Sequence, residues 1–130
     1  MMSDEGKSQQ NAREQGTLDF ADGGTYTGEF INGVPNGQGT LTLPDGGIYV
    51  GEFKDSRPHG HGILTLTNGG KYEGDFVQGS PNGHGVLHFP DGGNYTGDFK
   101  NNVPHGKGTL TLADGSTYSG EFREGQMVNK

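Results

Sequence analysis

The chain has 130 residues, 27 of them glycine, with no cysteine, no tryptophan and a formal net charge of −7. Lacking cysteine, it can build neither a disulfide framework nor a thiolate metal site, which fits a reducing compartment. Its nine lysines and arginines are scattered, which argues against nucleic acid and anionic membrane lipid, since both need a concentrated basic surface.

Residues 1–15 are rich in Ser, Gln, Asn and charge, lack the apolar stretch of a signal peptide, and are expected to form a disordered tail. No apolar run approaches the roughly 20 residues that cross a bilayer, so a soluble, cytoplasmic protein is expected. The remainder is periodic. A half unit at 16–25 leads into repeats at 26–48, 49–71, 72–94 and 95–117, and a partial repeat follows at 118–130. The register is set by Tyr26, Tyr49, Tyr72, Tyr95 and Tyr118, each opening a Tyr-x-Gly-[Glu/Asp]-Phe segment that ends at Phe30, Phe53, Phe76, Phe99 or Phe122. Such self-similarity marks an array of small units, each burying its face against the next.

Each unit reads as a β-hairpin. In the first strand, alternation puts Tyr26, Gly28 and Phe30 on one face and Thr27 and Glu29 on the other. In the second, Gly37, Gly39, Leu41 and Leu43 share a face, while Gln38, Thr40 and Thr42 point away. Glycines facing the rings leave room for them to lie on the backbone. Asp45-Gly46-Gly47 and its equivalents supply the tight reversals, and Pro35, Pro58, Pro81 and Pro104 are expected in the other connection, where a missing N–H costs little. The expected fold is all-β: ten short strands, from near residues 16–20 to near 118–122, in one elongated, curved, single-layer antiparallel sheet about 43 Å long. Glu121, Arg123, Glu124 and Lys130 are expected to blunt the last edge, and the N-terminal tail to cover the first.

The pattern Tyr-x-Gly-[Glu/Asp]-Phe-x-x-Gly-x-x-x-Gly-x-Gly-x-Leu-x-x-x-Asp-Gly closely resembles the MORN repeat, the membrane occupation and recognition nexus motif, over residues 16–130. Phe stands where many members of that family carry Trp, and Ser56 and Asn102 replace the Gly found at Gly33, Gly79 and Gly125. The resemblance implies a single-layer sheet curved into a groove. It also implies a non-catalytic scaffold in a cytoskeletal, ciliary, flagellar or axonemal assembly, with phospholipid binding as the alternative.

Three sets of side chains are candidates for chemistry. His59, His61, His84, His88 and His105 suggest a metal site, but His61 and His84 lie two strand spacings, about 9.6 Å, apart, so surface histidines are the better reading. The acidic column Glu29, Glu52, Asp75, Asp98 and Glu121 has the same separation, too wide for one calcium ion, and is expected to bond neighbouring turns or solvate its face. No glycine-rich run opens a helix or carries a Walker pattern. Neither a catalytic centre, nor a cofactor, nor a metal is therefore expected. The tyrosine and phenylalanine columns are the candidate site: on a single sheet part of that ring-lined face should stay exposed and form a groove for a helix or extended segment of a protein partner, or for a second copy of the chain. For any one ring, a purely internal stacking role is the competing assignment.

Overall fold

A computed structural model describes residues 13–128. Its strands are β1 (Glu14–Asp19), β2 (Thr25–Ile31), β3 (Val34–Thr42), β4 (Ile48–Lys54), β5 (Arg57–Thr65), β6 (Lys71–Val77), β7 (Ser80–His88), β8 (Asn94–Lys100), β9 (Val103–Thr111), β10 (Thr117–Arg123) and β11 (Gln126–Met127). They form one open antiparallel sheet in chain order. The all-β, stacked-hairpin architecture is as the repeat pattern implies, with eleven strands rather than ten among the described residues. Strand β1 begins at Glu14, inside the segment expected to be tail, because Gln15 and Glu14 continue its ladder opposite Glu29 and Phe30. Residues 1–12 of that tail, and Lys130 at the last edge, lie outside the described residues, while Arg13 faces the Glu29 carboxylate at 3.5 Å.

Two kinds of turn alternate. After β1, β3, β5, β7 and β9 the chain reverses through Asp22, Asp45, Asn68, Asp91 and Asp114, whose side-chain oxygens accept the N–H two residues on at 2.8–3.0 Å. After β2, β4, β6, β8 and β10 a two-residue turn places both residues at positive φ, as in Asn32 (54°) with Gly33 (79°) and Asp55 (51°) with Ser56 (73°). These are hairpin turns whose twist matches that of the flanking strands.

The prolines are not in that turn. Pro35, Pro58, Pro81 and Pro104 lie inside β3, β5, β7 and β9, opposite Phe30, Phe53, Phe76 and Phe99. Their carbonyls accept an N–H from the two-residue turn of the following unit, at Ser56, Gly79, Asn102 and Gly125, over 2.8–3.0 Å. Each proline thus ties one repeat to the next, and its missing N–H falls beside a break in the ladder.

That break is a β-bulge. Gly28 pairs with Gly39 and Phe30 with Pro35, so Asn36, Gly37 and Gln38 of β3 stand opposite the single residue Glu29 of β2. The same shift recurs at Gly51/Phe53, Gly74/Phe76 and Gly97/Phe99. Bulges bend a strand and increase its twist, and each leaves main-chain groups that side chains must satisfy.

Candidate functional site

The face carrying the rings is built around the bulges. A tyrosine at the start of each β2-type strand lies back along its own strand over a floor of paired glycines: a Cβ at Gly39 would meet the Tyr26 ring, and one at Gly62 the Tyr49 ring. The hydroxyl reaches the bulge. Tyr26, Tyr49, Tyr72 and Tyr95 donate to the carbonyls of Glu29, Glu52, Asp75 and Asp98 at 2.6–2.9 Å. The carboxylates of those same four acids accept the N–H groups of Gln38, His61, His84 and Lys107 at 2.6–3.2 Å. The acidic column therefore does bond neighbouring backbone, closing the bulge whose carbonyls the tyrosines cap. Glu121 has no such bond among the described residues.

The rings form a continuous zipper. Tyr26 meets Phe30 of its own unit at 5.2 Å and Phe53 of the next at 4.7 Å, both edge to face. Tyr49, Tyr72 and Tyr95 repeat the arrangement with Phe53 and Phe76, Phe76 and Phe99, and Phe99 and Phe122. Edge-to-face pairs contribute about 0.5–1.5 kcal/mol each beyond area burial. At the ends the pattern is incomplete among the described residues: Phe30 meets only Tyr26, and Tyr118 only Phe122, at 5.6 Å.

The exposed ring-lined groove expected from the sequence is not what this packing leaves. Tyr26, Tyr49, Tyr72, Tyr95, Phe53, Phe76, Phe99 and Phe122 are at most 4% exposed, and only the end rings Phe30 and Tyr118 are half-buried. The physical reason is the glycine floor, which lets each ring sink onto the backbone while the next unit's phenylalanine closes over it. Burial raises the titration of the Tyr26, Tyr49, Tyr72 and Tyr95 hydroxyls; Tyr72, with Asp75 close by as a second cause, is pushed up to about 12.

What the face offers to solvent lies beside the rings. Leu41, Leu64, Leu87 and Leu110, each flanked by two tyrosines, are half-buried. Next to them run Phe20, Leu43, Leu66, Phe89 and Leu112, of which Phe20, Leu66 and Leu112 are exposed. This leucine rim opens into apolar recesses: one of about 210 Å³ at Phe20, Pro35, Leu41 and Leu43, another of about 420 Å³ at Leu87, Phe89, Pro104, Leu110 and Met127. Tyr26 and Phe53 floor the first, Tyr95 and Phe122 the second. The turn residues Asp22, Asp45, Asp91 and Asp114 stand exposed just beyond the rim. The rim was legible as a leucine column, but its position beyond the rings depended on the bulge.

The histidines do not converge. His61 and His84 are exposed and face Asp75 and Asp98 at 4.0 and 3.8 Å. His59 and His105 use Nδ1 to accept the N–H of Gln78 and Glu124 in the next turn, at 3.3 and 3.2 Å. His88 lies opposite Lys71 and Asn94. Among the described residues, no group of three His, Cys, Asp or Glu side chains is placed to hold a metal. On the outer face Ile48, Val50 and Ile63 form an apolar group across β4 and β5, and Val86 stands among polar partners, opposite Glu73 and Thr96.

Comparison with curated proteins finds no match. The family model for the MORN repeat matches residues 26–48, 49–71, 72–94, 95–117 and 118–130. These segments begin at the five tyrosines whose hydroxyls and rings organise the sheet, and the chain therefore belongs to the MORN-repeat family.

Proposed function

We propose that the array is a non-catalytic scaffold or adaptor that holds a segment of another protein along the leucine rim, with the buried tyrosines and phenylalanines as the floor of the groove. MORN repeats occur in scaffold and membrane-associated proteins, and proteins built from them are generally non-catalytic. The observation that carries the reading is the recessed apolar strip from Phe20 to Leu112 bordered by exposed turn carboxylates. That chemistry suits a helix or extended segment with apolar anchors and basic flanks, since apolar side chains in recesses supply affinity and complementary charge selects the partner. A cytoplasmic place in a cytoskeletal or ciliary assembly accords with the family resemblance alone.

The test is capture from native extract with the intact chain, a Leu66→Glu/Phe89→Glu rim variant and a Val50→Glu outer-face variant, alongside co-sedimentation with phosphoinositide vesicles at physiological salt. A protein retained by the wild type and by Val50→Glu but lost with the rim variant supports the proposal. Retention by the rim variant contradicts it, and vesicle binding without protein capture replaces it with a membrane-association module.

A further inference from the structure

We infer that the two edges of this sheet are complementary and that copies of the chain join head to tail, β10 of one copy accepting β1 of the next. The argument starts from pairing. On its β11 side β10 is paired only through Phe122 and Arg123, with Val128 adding a bond to the Glu121 carbonyl at 2.9 Å. Thr117, Tyr118, Ser119 and Gly120 have no strand on that side among the described residues. In the preceding units the equivalent residues are always paired: Thr25, Tyr26, Thr27 and Gly28 face Thr42, Leu41, Thr40 and Gly39.

The strand that would fit is present at the other edge. Gly16-Thr17-Leu18 of β1 repeats Gly39-Thr40-Leu41 of β3, and β1 pairs with β2 as β3 pairs with β4: Gly16 faces Gly28, Thr17 faces Thr27 and Leu18 faces Tyr26. Its opposite side carries no strand among the described residues. Setting β1 of a second copy against β10 in the interior register matches Gly120 with Gly16, Ser119 with Thr17, Tyr118 with Leu18 and Thr117 with Asp19. Only Gly16–Asp19 of the incoming strand then lies along the free stretch Thr117–Gly120; Glu14 and Gln15, which pair with Phe30 and Glu29 of their own copy, must leave the β10 ladder where Met127 and Val128 hold Phe122 and the Glu121 carbonyl. Interior strands leave the ladder at this point too, through the bulge at residues 36–38.

Two side-chain observations agree independently. Tyr118 lacks the second phenylalanine that each earlier tyrosine meets, and Phe30 lacks the preceding tyrosine; both are half-buried where their counterparts are buried. The junction brings these rings together and continues the zipper. On the outer face, hydroxyl pairs Thr17–Thr27 at 3.3 Å and Thr109–Ser119 at 2.8 Å end in Thr17 and Ser119, which the same register makes neighbours. Leu18, 38% exposed, would gain the second flanking tyrosine that the interior leucines have. The contact uses different surfaces on the two copies, so it propagates as a filament unless its rotation closes a ring, and its few strand pairs put it among weak, concentration-dependent associations.

The chain has no cysteine of its own, which permits a directional test. Full-length Thr17→Cys and Ser119→Cys, both exposed positions, are oxidised separately, as an equimolar mixture, and as the double variant. Opposed strand residues lie within the Cα separation a disulfide spans, whereas the two positions in one chain are nine strand spacings, about 43 Å, apart. The expected result is a cross-linked heterodimer in the mixture at least tenfold above either single variant, and a ladder of covalent oligomers from the double variant. Homodimers of either single variant at comparable yield, or no heterodimer from reactive thiols at the highest concentration that stays dispersed, would overturn the proposal.

Discussion

Tyr49 and Glu52 close the bulge of their repeat from both sides: the Tyr49 hydroxyl donates to the Glu52 carbonyl at 2.8 Å, and the Glu52 carboxylate accepts the His61 N–H at 2.9 Å. The ring that makes the first bond also joins Phe53 to Phe76, so one side chain links local backbone chemistry to the stacking of neighbouring units.

Tyr49→Phe keeps the ring and orphans the Glu52 carbonyl. We expect a loss of about 1–2 kcal/mol in denaturant unfolding. Tyr49→Ala also opens a void between two phenylalanines and should cost about 3–5 kcal/mol. Equal losses for the two variants would mean that the ring adds nothing.

The carboxylate caps should matter only where a bulge N–H awaits them. Glu52→Ala is expected to cost about 1 kcal/mol, with Glu52→Gln recovering part of it. Glu121→Ala, whose carboxylate has no such bond among the described residues, should be close to neutral in the same titration.

Glycine substitutions should separate by site. At Gly62 an added Cβ meets the Tyr49 ring, so Gly62→Ala should cost about 3 kcal/mol or more. At Gly69 (φ 96°) an added Cβ meets only Pro90, at an ordinary contact distance of 4.0 Å, so the left-handed backbone is what opposes the change, at about 1 kcal/mol. Thermal melts of the two variants provide the comparison.

Ser56 holds a left-handed conformation, φ 73°, that Gly33, Gly79 and Gly125 occupy in other repeats. Ser56→Gly relieves that conformation and loosens the unfolded chain, with a net gain of about 0.5–1 kcal/mol expected from chemical denaturation.

The buried tyrosines set an alkaline limit. Their hydroxyls ionise in the unfolded chain near the ordinary phenol value of 10.0, while in the fold Tyr72 holds its proton to about 12. The unfolded state therefore releases protons first. This contribution to stability is complete below pH 10 and falls as pH rises toward 12. Unfolding midpoints across that window, followed with phenolate absorbance, should decline steeply, and less so in Tyr72→Phe.

Much of this was legible in the sequence. The even tyrosine spacing carried the repeat boundaries, and the glycine columns carried the fit of rings to backbone. That same fit implies that the rings sink out of reach, but the bulge that completes their burial was not visible. Gly28-Glu29-Phe30 alternates like an unbroken strand, and only the pairing shows three residues of β3 opposite Glu29. The prolines were misplaced for the same reason, since the bulge shifts the turn to Asn32-Gly33. Strand β1 was started late because Glu14 and Gln15 have tail-like composition, although their backbone pairs with Phe30 and Glu29.

The most direct measurement is a methyl-resolved NMR footprint of the intact array with its captured protein partner. Binding through the rim predicts shifts at the methyls of Leu43, Leu66, Leu87 and Leu112, with Ile48, Val50 and Ile63 on the outer face unmoved. Shifts confined to Ile48, Val50 and Ile63, with the leucine rim silent, would contradict it.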